Sequence, residues 1–149
     1  MKLVTAAEVT ETVDASDEEV WHALTTPSIL KKYFFGSDIK STWKVGDPIT
    51  FSGEYDGKKY QDKGSIRSSH PNAELSFTHW SALAGKPDVP ENYHLVTIKL
   101  NQLGDGTRVT LRQDDQDGEP VDVKTRRQYE KNWSLVLKGL KNVVESPSD

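Results

Sequence analysis

The spacing of hydrophobic residues in this chain changes period along its length. From Leu3 to Val13 apolar and polar residues alternate, with Leu3, Ala7, Val9 and Val13 on one side and Glu8, Thr10 and Thr12 on the other, which predicts a long first strand. "SDEE", 16–19, has the spacing of a capping box in which Ser16 accepts from the Glu19 N–H and Glu19 reaches back to Ser16. Val20, Trp21 and Leu24 follow at helical spacing. "TPSILKKYFF" predicts a second short helix, with Thr26 as its cap, Pro27 at its first position, and Ile29, Leu30, Tyr33 and Phe34 as its apolar face. Gly36 is the expected stop.

The period then drops to two. "DPITFSGEY" and "KKYQDKGSIRS" read as strands joined at Asp56–Gly57, a strong hairpin signal. "LSFTHW", "YHLVTIKL" and "TRVTLRQD" read as three more, with the loop "SALAGKPDVPEN" between the first two, long enough to be mobile. Short connections imply an antiparallel meander. Finally Tyr129, Trp133, Val136, Leu137, Leu140, Val143 and Val144 fall on one helical stripe, with Lys131, Lys138 and Lys141 outside it. Residues 1–149 read as one α+β domain, with 146–149 a frayed tail.

Composition narrows the function classes. A formal charge of -4 lacks the clustered basic face that nucleic acid requires, and the small group of Lys124, Arg126 and Arg127 reads as a solvated helix face. No apolar run approaches membrane-spanning length, and Glu8 interrupts the N-terminal stretch before any signal-like segment forms, so a cytoplasmic protein with no membrane partner is expected. Cysteine is absent, and the four histidines lack metal-ligand spacing, so neither metal site nor cofactor is expected. His22 and His70 read as surface residues.

The order of elements resembles the helix-grip (START-like, Bet v 1-like) fold, a curved antiparallel sheet wrapped around a long C-terminal helix with two short helices after strand 1. The blocks "VWHALTTPSILKKYFFG", "WKVGDPITFSG", "GSIRSSHPNAELSFTHW", "GTRVTLRQ" and "NWSLVLKGLKNVVE" are similar to those of proteins related to the activator of Hsp90 ATPase. The resemblance implies a cavity between sheet and helix, and Hsp90 as a possible partner. Gly53 and Gly64, inside adjacent strands, suit a sheet that must bend.

Regular alternation sends Phe51, Tyr55, Tyr60, Asp62, Phe77, His79, His94, Val96, Ile98, Val109, Leu111 and Gln113 to the concave face, opposite Trp133 and Leu137. Asp62, His79, His94 and Gln113 are polar residues in inward phase on four strands, which points to a wet pocket end, unless bulges reverse their phase. Three neighbouring aromatics, Tyr33, Phe34 and Phe35, exceed what one helix face buries. The expected arrangement has Tyr33 and Phe34 anchoring the short helix while Phe35 and Gly36 form a gate with Trp80 and the 81–92 loop; a packed corner is the alternative. The leading function is non-enzymatic binding of a hydrophobic or amphipathic small molecule, with Tyr55, Asp62, His79 and Gln113 orienting its polar end. A cochaperone-like action on Hsp90 is the second reading. The third is an enzyme with His79 or His94 as general base and Asp62 orienting it.

Overall fold

The structure, a computed structural model, describes residues 3–116 and 120–146; most of the expected tail lies outside them. Its elements are β1 (Leu3–Val13), α1 (Asp17–Leu24), α2 (Pro27–Tyr33), β2 (Asp38–Ser41), β3 (Pro48–Tyr55), β4 (Lys58–His70), β5 (Glu74–His79), β6 (His94–Leu103), β7 (Gly106–Gln116) and α3 (Val123–Glu145), with a 3-10 turn at Pro90–Asn92. Seven strands form one antiparallel sheet in the order β1-β7-β6-β5-β4-β3-β2. The sheet curls around α3, which is the helix-grip arrangement. β2 is absent from the sequence reading because it is a four-residue edge strand with one buried apolar residue, Ile39.

Local details depart from expectation at several ends. Ser16 accepts from the Glu19 N–H at 3.1 Å, but Glu19 meets the Ser16 hydroxyl (3.3 Å) in place of its N–H. Thr26 does not cap α2; its hydroxyl donates back to the His22 carbonyl at 2.6 Å. A register shift between Thr5 and Ala7 buries both Ala6 and Ala7 and leaves Leu3 48% exposed. One extra residue in a strand reverses the phase beyond it. The left-handed backbone after α2 begins one residue early, at Phe35 (φ 55), and continues through Gly36 (φ 70).

Val136, Leu137 and Leu140 of α3 are buried against Ile98, Leu111 and the other inward residues of the sheet. Each such side chain contributes roughly 1.5–3 kcal/mol on leaving water. The packing is tight, since the central core holds a void of only about 20 Å³. α2 seats closely on α3: a Cβ on Gly139 would lie 2.7 Å from Tyr33 Cβ. The buried Tyr33 hydroxyl donates to the Ala23 carbonyl at 2.8 Å, and burial raises its pKa, so it keeps its proton.

Curvature has a local cause at Gly64, where a Cβ would sit 1.6 Å from the Thr78 carbonyl oxygen. Backbone meets backbone there, beside the register shift between Ile66 and Ser68. Gly53 lies under the ring of its register partner Tyr60, whose atoms are the nearest to where a Cβ would stand. Gly64→Ala is expected to cost more than about 3 kcal/mol, because the obstruction is main chain and cannot swing aside. Urea unfolding of the variant checks this; an unchanged midpoint refutes the close approach.

Candidate functional site: a pocket with an acid–imidazole row

The sheet's last inward residues pass beyond the packed core and form one end of a pocket of about 630 Å³. Its aromatic wall comes from Phe34, Phe35, Phe51, Tyr55, Tyr60, Tyr129 and Trp133. Phe34 stacks on Phe51 (centroids 5.8 Å apart) and meets Trp133 edge-on (5.9 Å), so the α2 end, β3 and α3 are joined by aromatic contact. Tyr55 is 72% exposed and stands at the rim, as does Phe35 at 58%.

The polar end is a row running across four strands. Asp62 on β4 bonds His79 on β5 (Oδ2 to Nε2, 3.0 Å). His79 is the register partner of His94 on β6, and His94 Nδ1 bonds Asp115 on β7 at 2.5 Å. Gln113 donates to the same Asp115 oxygen (3.2 Å) and accepts from the Trp133 indole N–H (2.8 Å), tying the row to α3. Ser37 and Tyr60 share a hydroxyl bond at 2.7 Å. Burial works to raise the Asp115 carboxyl, but hydrogen bonds from His94 and Gln113 and the charges of His94 and Lys86 outweigh it and hold the group below the usual carboxylate range. The Tyr129 hydroxyl is raised by burial and then by the nearby Asp115 charge.

Each carboxylate fixes its imidazole. An ionised carboxylate only accepts, so Asp62 holds the Nε2–H form of neutral His79 and Asp115 the Nδ1–H form of neutral His94. The other ring nitrogen of each is then a lone-pair acceptor. Among the described residues neither has a protein partner, and no buried side-chain nitrogen or oxygen lacks one, so both reach solvent from residues that line the pocket. Such an imidazole can accept a hydrogen bond or take up a proton. Among the described residues no group of three or more His, Asp or Glu side chains is placed to hold a metal ion.

Of the residues expected at the site, the structure gathers Phe35, Phe51, Tyr55, Tyr60, Asp62, His79, His94, Gln113 and Trp133 around the pocket. Phe77, Val96, Leu111 and Leu137 face the same way but lie deeper, in the closed core, where neighbouring side chains fill the space. Trp80 is placed elsewhere. Its strand phase is that of Thr78, and its ring stacks on Tyr93 (6.5 Å) with the indole N–H donating to the Pro87 carbonyl, so it does not stand opposite Phe35. From the loop, Ser81 and Leu83 line the pocket instead. The 81–92 loop is also tied down, by Asp62 Oδ1 accepting from the Ala82 N–H (2.9 Å), by Asn92 donating to Pro87 (2.9 Å), and by Lys63 pairing with Asp88 (2.6 Å).

Ser37, Asp115, Tyr129 and Asn132 were missed as site residues. Tyr129 lay on the α3 stripe and was legible as an inward residue. Asp115 lies one residue beyond the expected strand "TRVTLRQD", and only the full length of β7 reveals its phase.

Residues 14–145 match the family model for activator of Hsp90 ATPase homolog 1-like protein. The chain belongs to this family. Protein ChR145 from Cytophaga hutchinsonii is 42% identical, with 97% of this chain and 94% of that chain covered and a TM-score of 0.78. The Aha1 dimer from Colwellia psychrerythraea is 19% identical over all of both chains, TM-score 0.70, and CalU16 from Micromonospora echinospora is 22% identical over 94% of this chain and 75% of that one, TM-score 0.69. The last two show likeness of fold alone. No curated protein matches the chain. No helix among the described residues is long and apolar enough to cross a membrane.

Asp115 makes stability depend on acid. Its folded-state pKa lies below its ordinary value, so the carboxylate's contribution is complete above about pH 4 and is lost as pH falls through the lower folded value. Asp115→Asn is expected to flatten that part of the acid limb in unfolding free energy measured against pH. An equally steep limb in the variant contradicts the assignment.

Proposed function

We propose that residues 1–149 act as one cytoplasmic domain that binds a hydrophobic or amphipathic small molecule in the pocket between sheet and helix, without turning it over. The carrying observation is the contrast between a core with almost no free volume and a pocket of about 630 Å³ walled by aromatic rings and ended by polar groups. Apolar walls supply affinity and a few fixed polar groups supply orientation. Native mass spectrometry of the gently purified protein tests this, with a defined extra mass released on unfolding as the expected result. A bare protein that also takes up no added apolar probe refutes it. The family match favours a second reading, modulation of the Hsp90 ATPase, for which co-purification with Hsp90 and a change in its ATP turnover are the test.

Phe35 serves as the rim of this pocket. A bulky residue in left-handed backbone costs roughly 1–2 kcal/mol, and here the ring it carries is mostly in solvent, beside Phe34 (5.8 Å, edge-on). Such strain suits a residue kept for what it covers. Phe35→Gly is expected to leave thermal stability unchanged or higher while an apolar dye leaves the pocket several-fold faster in stopped-flow displacement. An unchanged release rate removes the gate.

A further inference from the structure

The geometry points to a ligand whose polar end is a hydrogen-bond donor carrying positive charge, that is, a hydrophobic amine; this rests on the binding reading above and names the class of molecule the pocket takes. At the polar end, Asp62 and Asp115 flank His79 and His94, and in their neutral forms both imidazoles turn an acceptor nitrogen outward. A carboxylate or phosphate brought there meets lone pairs on the rings and negative charge behind them. An ammonium group meets the reverse, with N–H donors for the two ring nitrogens and two carboxylates close behind.

The surroundings favour the same charge. Among the described residues no Lys or Arg lines the pocket; Lys86 lowers the Asp115 carboxyl electrostatically from the 81–92 loop without being part of the lining. Tyr129 faces His94 edge-on at 6.3 Å, and with Tyr60 and Trp133 it supplies ring faces whose negative quadrupoles attract a cation. The Gln113 amide is held in place, one N–H donating to Asp115 and its oxygen accepting from Trp133, so it braces the Asp115 carboxylate.

The experiment compares decylamine, decanol and decanoate at pH 8, below micelle formation, by calorimetry on the full chain. One-to-one binding with the amine at least about tenfold tighter than decanoate is expected, a difference of roughly 1.4 kcal/mol. Asp62→Asn, which keeps an oxygen acceptor for the Ala82 N–H, is expected to shrink that ratio to about threefold or less, with decanol titrated alongside so that a loss of affinity common to all three probes cancels; Asp115→Asn serves the same purpose if the first variant does not fold. Decanoate binding as tightly as the amine, a ratio unmoved in the folded variant, or amine binding at many equivalent surface sites overturns the charge assignment and leaves the pocket standing. Failure of all three probes to bind overturns the binding reading itself.

Discussion

One sheet must wrap around one helix, and the rest of the molecule follows from how that is done. A seven-stranded sheet does not curl tightly by twist alone, so the chain removes side chains and adds residues where the bend is sharpest. Gly64 lets the main chain of β4 meet that of Thr78, and the register shifts in β1 and β4 bend the strands further. The 23-residue α3 fills the concavity with Val136, Leu137 and Leu140 over the middle of the sheet. In its N-terminal half the helix presents Tyr129, Asn132 and Trp133, larger and more polar, and there the surfaces part to leave the pocket.

The polar row follows from the same curvature. Side chains alternate across a strand, so a polar residue enters the concave face only where apolar residues around it have already closed the core. Asp62, His79, His94 and Asp115 obey this, each lying at or near the strand end next to the pocket. Trp133 then reaches from the helix to Gln113, and one hydrogen-bonded chain runs from sheet to helix. The two ends of the row differ in their attachments. Asp62 also holds the first turn of the 81–92 loop, whereas Asp115 is braced by Gln113.

Much of this was legible in the sequence, and the exceptions have physical reasons. The long strands, three helices, Asp56–Gly57 turn and inward phase of Asp62, His79, His94 and Gln113 could be read because period-two and period-3.6 patterns run for many residues. β2 escaped because four residues with one apolar member carry no period. Leu3 was misplaced because a bulge is a single-residue event with no signature in alternation. Trp80 was expected to gate the pocket with Phe35, but it follows the inward-facing His79 and so turns to the other face, where it meets Tyr93. The depth of the cavity could not be read at all, since whether Phe77, Val96, Leu111 and Leu137 surround a hole or fill one depends on side-chain volumes from separate elements meeting in space.

The closed core and the open pocket draw on largely different residues, with Phe34 and Phe51 in contact with both. Core packing and the chemical character of the pocket wall are therefore nearly independent properties of this chain. A lineage can exchange Tyr55, Asp62, His79 or Asn132 and so recast the pocket wall while the scaffold that presents them stays intact. Substitutions at Phe34 and Phe51 enjoy no such freedom, because each alters the vessel and its contents at once.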